Sequence, residues 1–427
     1  MTRSSKLMKI RRLSAPLALL FACPIYAQSP SPPADAAGYE ELPELKASEI
    51  LRPDFLQGAN HKVREEVSPS SGANHFIIDS DFGVFEAEGN ELLIRRVNEI
   101  NAIAQLKQVS RTDQFKDALA KAAKSPLAAA KSIVTDPVTA ITNVPKGLGK
   151  FMKRATESVK GIGKKNESSS AEGSKAQQLI GFTDTKRKVA ISLGVDPYST
   201  NTVLQKELDG ISWASFAGGL TFQVATMPIG GGAATALTVT NVTKTFDQML
   251  REKSPADLKI MNRKILLDLG ASAADTEAFL TNDVFSPTAQ TAFALNLKSL
   301  DGVANRGAFV RVAARTSSSE ADAIFCVQTA ALMGKLQEEG KSLARIALIG
   351  DFPICIAKDG TIIVALQWDY AAWTARADEF AQSVHAQGKE KSTYLVCLSG
   401  EASPRLHKEL ENRGFSVRDR LSPGPLK

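Results

Sequence analysis

Between Asp209 and Lys244 the chain runs for 34 residues without one charged side chain, broken near its middle by Met227-Pro228-Ile229-Gly230-Gly231-Gly232. A stretch with so little to offer water has to be buried in something. Its first arm, residues 211–227, is 17 residues long. The second, from Ala233, is shorter and rich in Thr. Neither reaches the roughly 20 apolar residues that span a bilayer. Two buried helices joined by a Gly-rich turn are therefore expected, because a helix apolar all round belongs in the core of a large protein. The alternative is a membrane-inserting hairpin. It draws on residues 116–165, where Ile133, Val134, Ile141, Leu148, Phe151 and Met152 are interleaved with 11 basic side chains against 3 acidic ones, a composition suited to anionic lipid.

The chain can supply such a core. At 427 residues, 43% hydrophobic and 23% charged, it has the make-up of an ordinary globular protein, which excludes collagen-like, disulfide-scaffold and wholly disordered classes.

The other informative region is the start. Arg3, Lys6, Lys9, Arg11 and Arg12 precede an apolar run from Leu13 to Cys23, and Pro24-Ile25-Tyr26-Ala27 supplies a small residue for cleavage. This is the grammar of a signal peptide over residues 1–27, cut after Ala27, and the run is too short for a membrane anchor. Acylation at Cys23 is a second possibility, although Phe21 is bulky for a lipoprotein box; Arg11-Arg12 is a weaker match to a twin-arginine signal. Export to the periplasm or beyond is expected. Cleavage removes five basic and no acidic residues, leaving 47 basic against 46 acidic side chains, a net charge of +1 in place of +6. The basic character of the whole chain is then no argument for nucleic acid as a partner. What persists is asymmetry: residues 35–91 hold 13 acidic and 4 basic side chains, opposite in sign to residues 116–165. The blocks are expected to lie on solvated surfaces, to dock on one another, or to meet partners, either an envelope protein or an anionic membrane surface.

Between these landmarks the pattern predicts a mainly α chain of many short helices, with a short N-terminal β-hairpin region and a small C-terminal α+β unit of about four strands. Residues 28–59 read as a disordered or extended leader; 60–165 as a small β region plus amphipathic basic helices; 166–175, polar and of low complexity, as a linker; 176–340 as a helical domain; 341–427 as the α+β unit. Leu93, Val97, Ile100 and Ala104 form one helical stripe, with Glu91, Arg95, Arg96 and Lys107 outside it. Ser125-Pro126, Asp136-Pro137, Ser254-Pro255, Ser286-Pro287 and Ser403-Pro404 each place a capping oxygen before a proline at the first helical position. Gly194 should stop one helix, and Ser199 or Thr200 should cap the next. Near the C-terminus, apolar runs flank Lys358-Asp359-Gly360, a hairpin signal. A helix near residues 371–386, a strand at Tyr394–Leu398, a helix after Ser403 and a final strand from Phe415 complete that unit.

Readable chemistry is scarce. The mature cysteines, Cys326, Cys355 and Cys397, lack any zinc spacing. They read as small buried hydrophobes, or Cys355 and Cys397 as a disulfide. His385 and His407 share the terminal unit with two of them, which is weak support for a Cys/His pair. His61 and His75 have no metal spacing. Asp79 and Asp81 resemble a fragment of a calcium loop, but the acidic series stops there, so a hairpin is the simpler reading. Ser212 and Ser272 sit in approximate nucleophile elbows without the required strand, and Lys150 and Lys164 follow glycine pairs without phosphate-loop spacing. No catalytic, cofactor or metal residue is assigned, and no cofactor is expected. The leading expectation is an exported envelope protein that binds or scaffolds; the alternatives are a membrane-active protein using residues 116–165 and 210–243, and an enzyme of a class without readable motifs.

Overall fold

Helix starts follow the Ser-Pro punctuation. Ser254, Ser286 and Ser403 each precede a helix, and their hydroxyls accept hydrogen bonds from the N–H groups of Asp257, Ala289 and Leu406, with proline at the first helical position. The computed structural model describes residues 38–124, 170–221, 243–389, 392–422 and 424–427. The sites at Ser125 and Asp136, the signal peptide and most of the basic segment lie outside the described residues. Glu40–Lys427 form one compact unit.

Its N-terminal part contains β1 (Leu45–Lys46), α1 (Ala47–Ile50), α2 (Pro53–Leu56), β2 (His61–Val63), β3 (Glu66–Ser70), β4 (Ala73–Ser80) and β5 (Gly83–Glu88). The strands form an antiparallel sheet with β4 as its spine: β2 and β3 pair with its two ends, β5 with its other edge, and β1 with β3. Alternation does the sorting, since Val63, Val67, Phe76, Ile78 and Ala87 point into the core. α3 (Asn90–Ser110) follows at once, and the stripe of Leu93, Val97, Ile100 and Ala104 is buried. α4 (Asp113–Lys124), α5 (Ser170–Ser192) and α6 (Thr202–Gly218) pack beside it.

A helical layer comes next: α7 (Thr243–Glu252), α8 (Pro255–Asp268), α9 (Ala273–Thr281), α10 (Pro287–Ser299), α11 (Gly307–Thr316) and α12 (Glu320–Leu336). The chain ends in β6 (Leu343–Ile349), β7 (Phe352–Ala357), β8 (Ile362–Leu366), β9 (Tyr370–Ala371), α13 (Ala375–Ala386), β10 (Tyr394–Leu398), β11 (Glu401–Ala402), α14 (Pro404–Asn412) and β12 (Phe415–Arg418). The main sheet here has the order β12-β10-β8-β7-β6, parallel among β8, β10 and β12 and antiparallel from β8 to β6; β9 and β11 form a separate parallel pair.

The expectation of a mainly α chain with a hairpin and a four-stranded unit is therefore corrected to a mixed fold carrying two five-stranded sheets. Two local readings account for the difference. Residues 40–57 are not extended leader: Ala47, Leu51 and Phe55 are buried, β1 joins the sheet, and the Glu40 carboxylate accepts bonds from the Trp373 N–H and the Ser403 hydroxyl. A few apolar residues among many polar ones suffice when a sheet edge is waiting. The apolar run over residues 344–357 contains two strands, folded back at Gly350-Asp351, where Gly350 takes φ 56°.

The boundaries also shift. One hydrophobic core runs through Phe246, Phe293, Val327, Ile346, Ile363 and Cys397, so the helical layer and the C-terminal sheet fold against each other. Helix α5 already begins at Ser170, inside the polar stretch read as a linker. No helix among the described residues is long and apolar enough to cross a membrane. Of the uncharged run, residues 210–218 complete α6 and residues 222–242 lie outside the described residues.

Phe279, Phe285, Phe293 and Phe309 form the aromatic centre of that core, with Phe293 within 5.2 Å of Phe279 and 5.1 Å of Phe309, ring centre to ring centre. Removing a buried ring of this kind leaves a cavity that rigid helices cannot close. Phe293→Ala is expected to cost about 3–5 kcal/mol of unfolding free energy. Urea titration of the variant against the wild type measures it.

Candidate functional site

The residues singled out by sequence are mostly spent on structure. Cys326, Cys355 and Cys397 are free and buried. Burial pushes their thiols up to about 12, 12 and 11, the opposite of what a nucleophile needs. Cys355 and Cys397 sit on β7 and β10 with β8 between them, too far apart for a disulfide. His385 is bonded to the Arg413 carbonyl at 2.7 Å and its ring packs at an angle against Tyr394 and edge-on against Phe415; His407 lies 3.4 Å from Asp419. His61 bonds the Phe55 carbonyl, and burial holds its pKa below the usual range. His75 faces Glu86 at 3.8 Å. Asp79 is held by Arg64 through two bonds of 2.9 and 2.8 Å, and Asp81 lies in the β4–β5 turn. Ser212 lies within α6, and Ser272 caps α9. Among the described residues no group of His, Cys, Asp and Glu is arranged to hold a metal. Lys150 and Lys164 lie outside the described residues.

Two polar centres instead fall on α3, where the stripe reading had placed Arg95 and Arg96 outside; both are buried. The first is a clamp. Arg96 donates to Glu99 at 2.8 Å and to Glu320, the first residue of α12, at 2.9 Å. Burial works against its charge, but the two carboxylates outweigh that and hold the guanidinium above its usual range. Glu99 also takes the Ser199 hydroxyl and the Asn201 amide, the latter at 3.0 Å. Asn201, not Ser199 or Thr200, caps α6, accepting from the Val203 and Leu204 N–H groups. Ser199 was drawn into the clamp, and Thr200 gives its hydroxyl to Glu320. Asp196 takes the Thr288 hydroxyl at 2.7 Å and the Tyr198 N–H; burial raises its pKa. The cavity left beside these groups is only about 30 Å³, room for about one water.

The second centre is roomier. A cleft of about 230 Å³ is lined by Leu45, Glu49, Ile50, Asn74, Asp369, Tyr370, Glu401, Arg420, Leu426 and Lys427. Its position follows from the topology. Asp369 and Tyr370 follow β8, Glu401 follows β10, and Arg420 follows β12, all at the carboxyl ends of parallel strands, the edge at which such sheets receive ligands. The N-terminal sheet supplies the facing wall through Leu45 and Asn74.

Asp369 is the floor of the cleft, 2% exposed. Its Oδ2 accepts from the backbone N–H groups of Asn74 (3.0 Å) and Asn90 (2.8 Å), and its Oδ1 from the Gln367 amide (3.1 Å). Burial pushes its pKa up to about 6 in spite of these donors, and burial, with Asp369 adding repulsion, pushes the nearby Glu91 up to about 7. Gly72 and Gly400 close on this segment from two sides, with no space for a Cβ against Trp368 and against the Asp369 backbone respectively.

Sequence reasoning missed the cleft because its lining comes from residues 45–74 and 369–427, which no local pattern links. The readable hint was Gln367-Trp368-Asp369 directly after the wholly apolar strand β8. No protein-family model matches the chain, and neither a curated protein nor a solved structure is similar to it.

Raised pKa values have a definite consequence for stability. Asp369 and Glu91 titrate near 6 and 7 when folded against 3.8 and 4.5 otherwise, so between about pH 4 and 7 the folded chain holds protons that the unfolded chain has released. Their contribution thus falls as pH rises through that window. The melting temperature of Glu91→Gln relative to wild type is expected to be higher at pH 7.5 than at pH 5, by several degrees. Thermal unfolding monitored by circular dichroism at the two pH values checks this.

Proposed function

We propose that the chain is an exported envelope protein that acts by binding, and that the cleft between the two sheets receives a small ligand. The observation that carries this reading is the cleft itself, polar groups from three parallel-strand ends converging on about 230 Å³ of open space. The signal-like first 27 residues support export, and the inert thiols favour binding over thiol catalysis. The surroundings are suited to holding rather than reacting. Among the described residues the cleft is lined by no Ser, Thr, Cys or His, and its buried carboxylate is fixed by three N–H groups.

The test is recovery of the full, untagged chain from a Gram-negative host, followed by native mass measurement. The expected result is a periplasmic protein beginning at Gln28 that carries a small molecule, and loss of that molecule in Ile50→Trp, which fills the cleft. Retention in the membrane pellet through an alkaline wash would overturn the reading in favour of the uncharged segment, or of acylation if the chain begins at Cys23. A soluble protein with no bound mass, or one whose bound mass survives Ile50→Trp, would overturn the assignment of the site.

A further inference from the structure

The charges around the cleft do not cancel. Glu49, Asp369 and Glu401 line it against Arg420 and Lys427. Both cations are occupied: Arg420 pairs with Glu401 at 3.3 Å and bonds the Lys427 carbonyl, and the Lys427 ammonium bonds the Ser48 carbonyl at 2.6 Å. Glu49 has an exposed partner in Lys46. Asp369 forms no ion pair among the described residues. Beside it Asn74 is 1% exposed, its amide nitrogen bonded to Asn90, its Oδ1 without a hydrogen-bond partner. A buried carboxylate without a counter-charge and a buried carbonyl without a donor are each costly. One positively charged donor would answer both, and both lie at one wall of one cavity.

We infer that the cleft takes a small organic cation, seated through a primary ammonium group on Asp369 and the Asn74 side-chain carbonyl. This rests on the cleft being the binding site. An ammonium has three donors and no acceptor, which matches Asp369, Asn74 and the Tyr370 hydroxyl or the rim carboxylates. An anion would meet three carboxylates while both local cations are engaged. A neutral polar molecule would leave Asp369 uncompensated. A metal ion would want several His, Cys, Asp or Glu ligands, and no such group exists among the described residues.

Proton linkage provides an independent reading. Asp369 is faced by the Asn90 N–H that opens α3 and the Asn74 N–H of β4, by Glu91 on α3, by Glu49 on α1, by Glu401 on β11, and by Tyr370, Arg420 and Lys427. Near pH 6.5 the Asp369 and Glu91 carboxyls are partly protonated, so a bound cation should expel protons. Titration calorimetry of the mature chain with putrescine, in two amine-free buffers of different ionisation enthalpy at pH 6.5, measures affinity and proton release together. Glucose and acetate are the neutral and anionic probes.

Putrescine is expected to bind at least tenfold more tightly than either, with net proton release, and Asp369→Asn to weaken it at least tenfold. Should that variant fold poorly, the proton release of the wild type decides. Putrescine binding without proton release, or unchanged by Asp369→Asn in a folded variant, overturns the inference. Binding of glucose or acetate in its place also overturns it while leaving the cleft as a site. Failure of all three probes, with no co-purified ligand, overturns both readings.

Discussion

Helix α3 is capped by a carboxylate from 279 residues away in the chain. Gly89, which precedes the helix, has no side chain to accept a bond, and takes φ 103°. Asp369 fills that role, and the same oxygen takes the N–H of Asn74 in the N-terminal sheet. One atom therefore ties a strand, a helix start and the end of a parallel strand together. The close approach of Gly72 to Trp368, and the bond from the Asp369 N–H to the Gly72 carbonyl, follow from the same seam. The first sheet and the last can approach here because Gly72 carries no Cβ where it meets Trp368.

A second fixed point lies along the same helix, where Arg96 and Glu99 reach α12 and the loop before α6. Six residues of helix, about 9 Å, separate Asn90 from Arg96. The two points treat buried charge differently. In the clamp a guanidinium, hydroxyls and an amide neutralise Glu99 and Glu320, so the charges lock the register of three segments while adding little net stability. At the other point Asp369 receives only N–H dipoles. An N-terminal helix dipole favours a carboxylate by roughly 1 kcal/mol, less than full burial of a charge demands. The raised pKa of Asp369 expresses that shortfall.

How much of this was legible in the sequence depended on the range of the interaction. Ser254, Ser286 and Ser403 cap their helices because a cap is decided within four residues. The stripe on α3 was legible for the same reason. Strand count was less so: a run such as residues 344–357 does not say where it folds back, and β1 forms only because β3 offers it an edge. Arg95 and Arg96 read as solvated because periodicity registers hydrophobicity and cannot see Glu320 approaching from another helix. The cleft was least legible, since its walls meet only after β8, β10 and β12 have aligned in parallel.

The acidic excess in residues 35–91 takes on meaning once that alignment is known. Several of its carboxylates are engaged within the fold: Glu40 by the Trp373 N–H and Ser403, Glu65 by Ser48, Asp79 by Arg64. Of these only the last is an ion pair, and Glu49 and Asp54 pair with Lys46 and Arg52 of the same block, so pairing inside it leaves its net negative charge in place at long range. Glu49 lines the cleft with Asp369 and Glu401, so part of the block's charge stands at the cleft. A concave site in which three carboxylates outnumber two already engaged cations keeps a net negative field over a low-dielectric core and draws in the opposite charge. The asymmetry in the sequence and the uncompensated carboxylate in the fold thus point to the same preference, set at long range by composition and at short range by geometry.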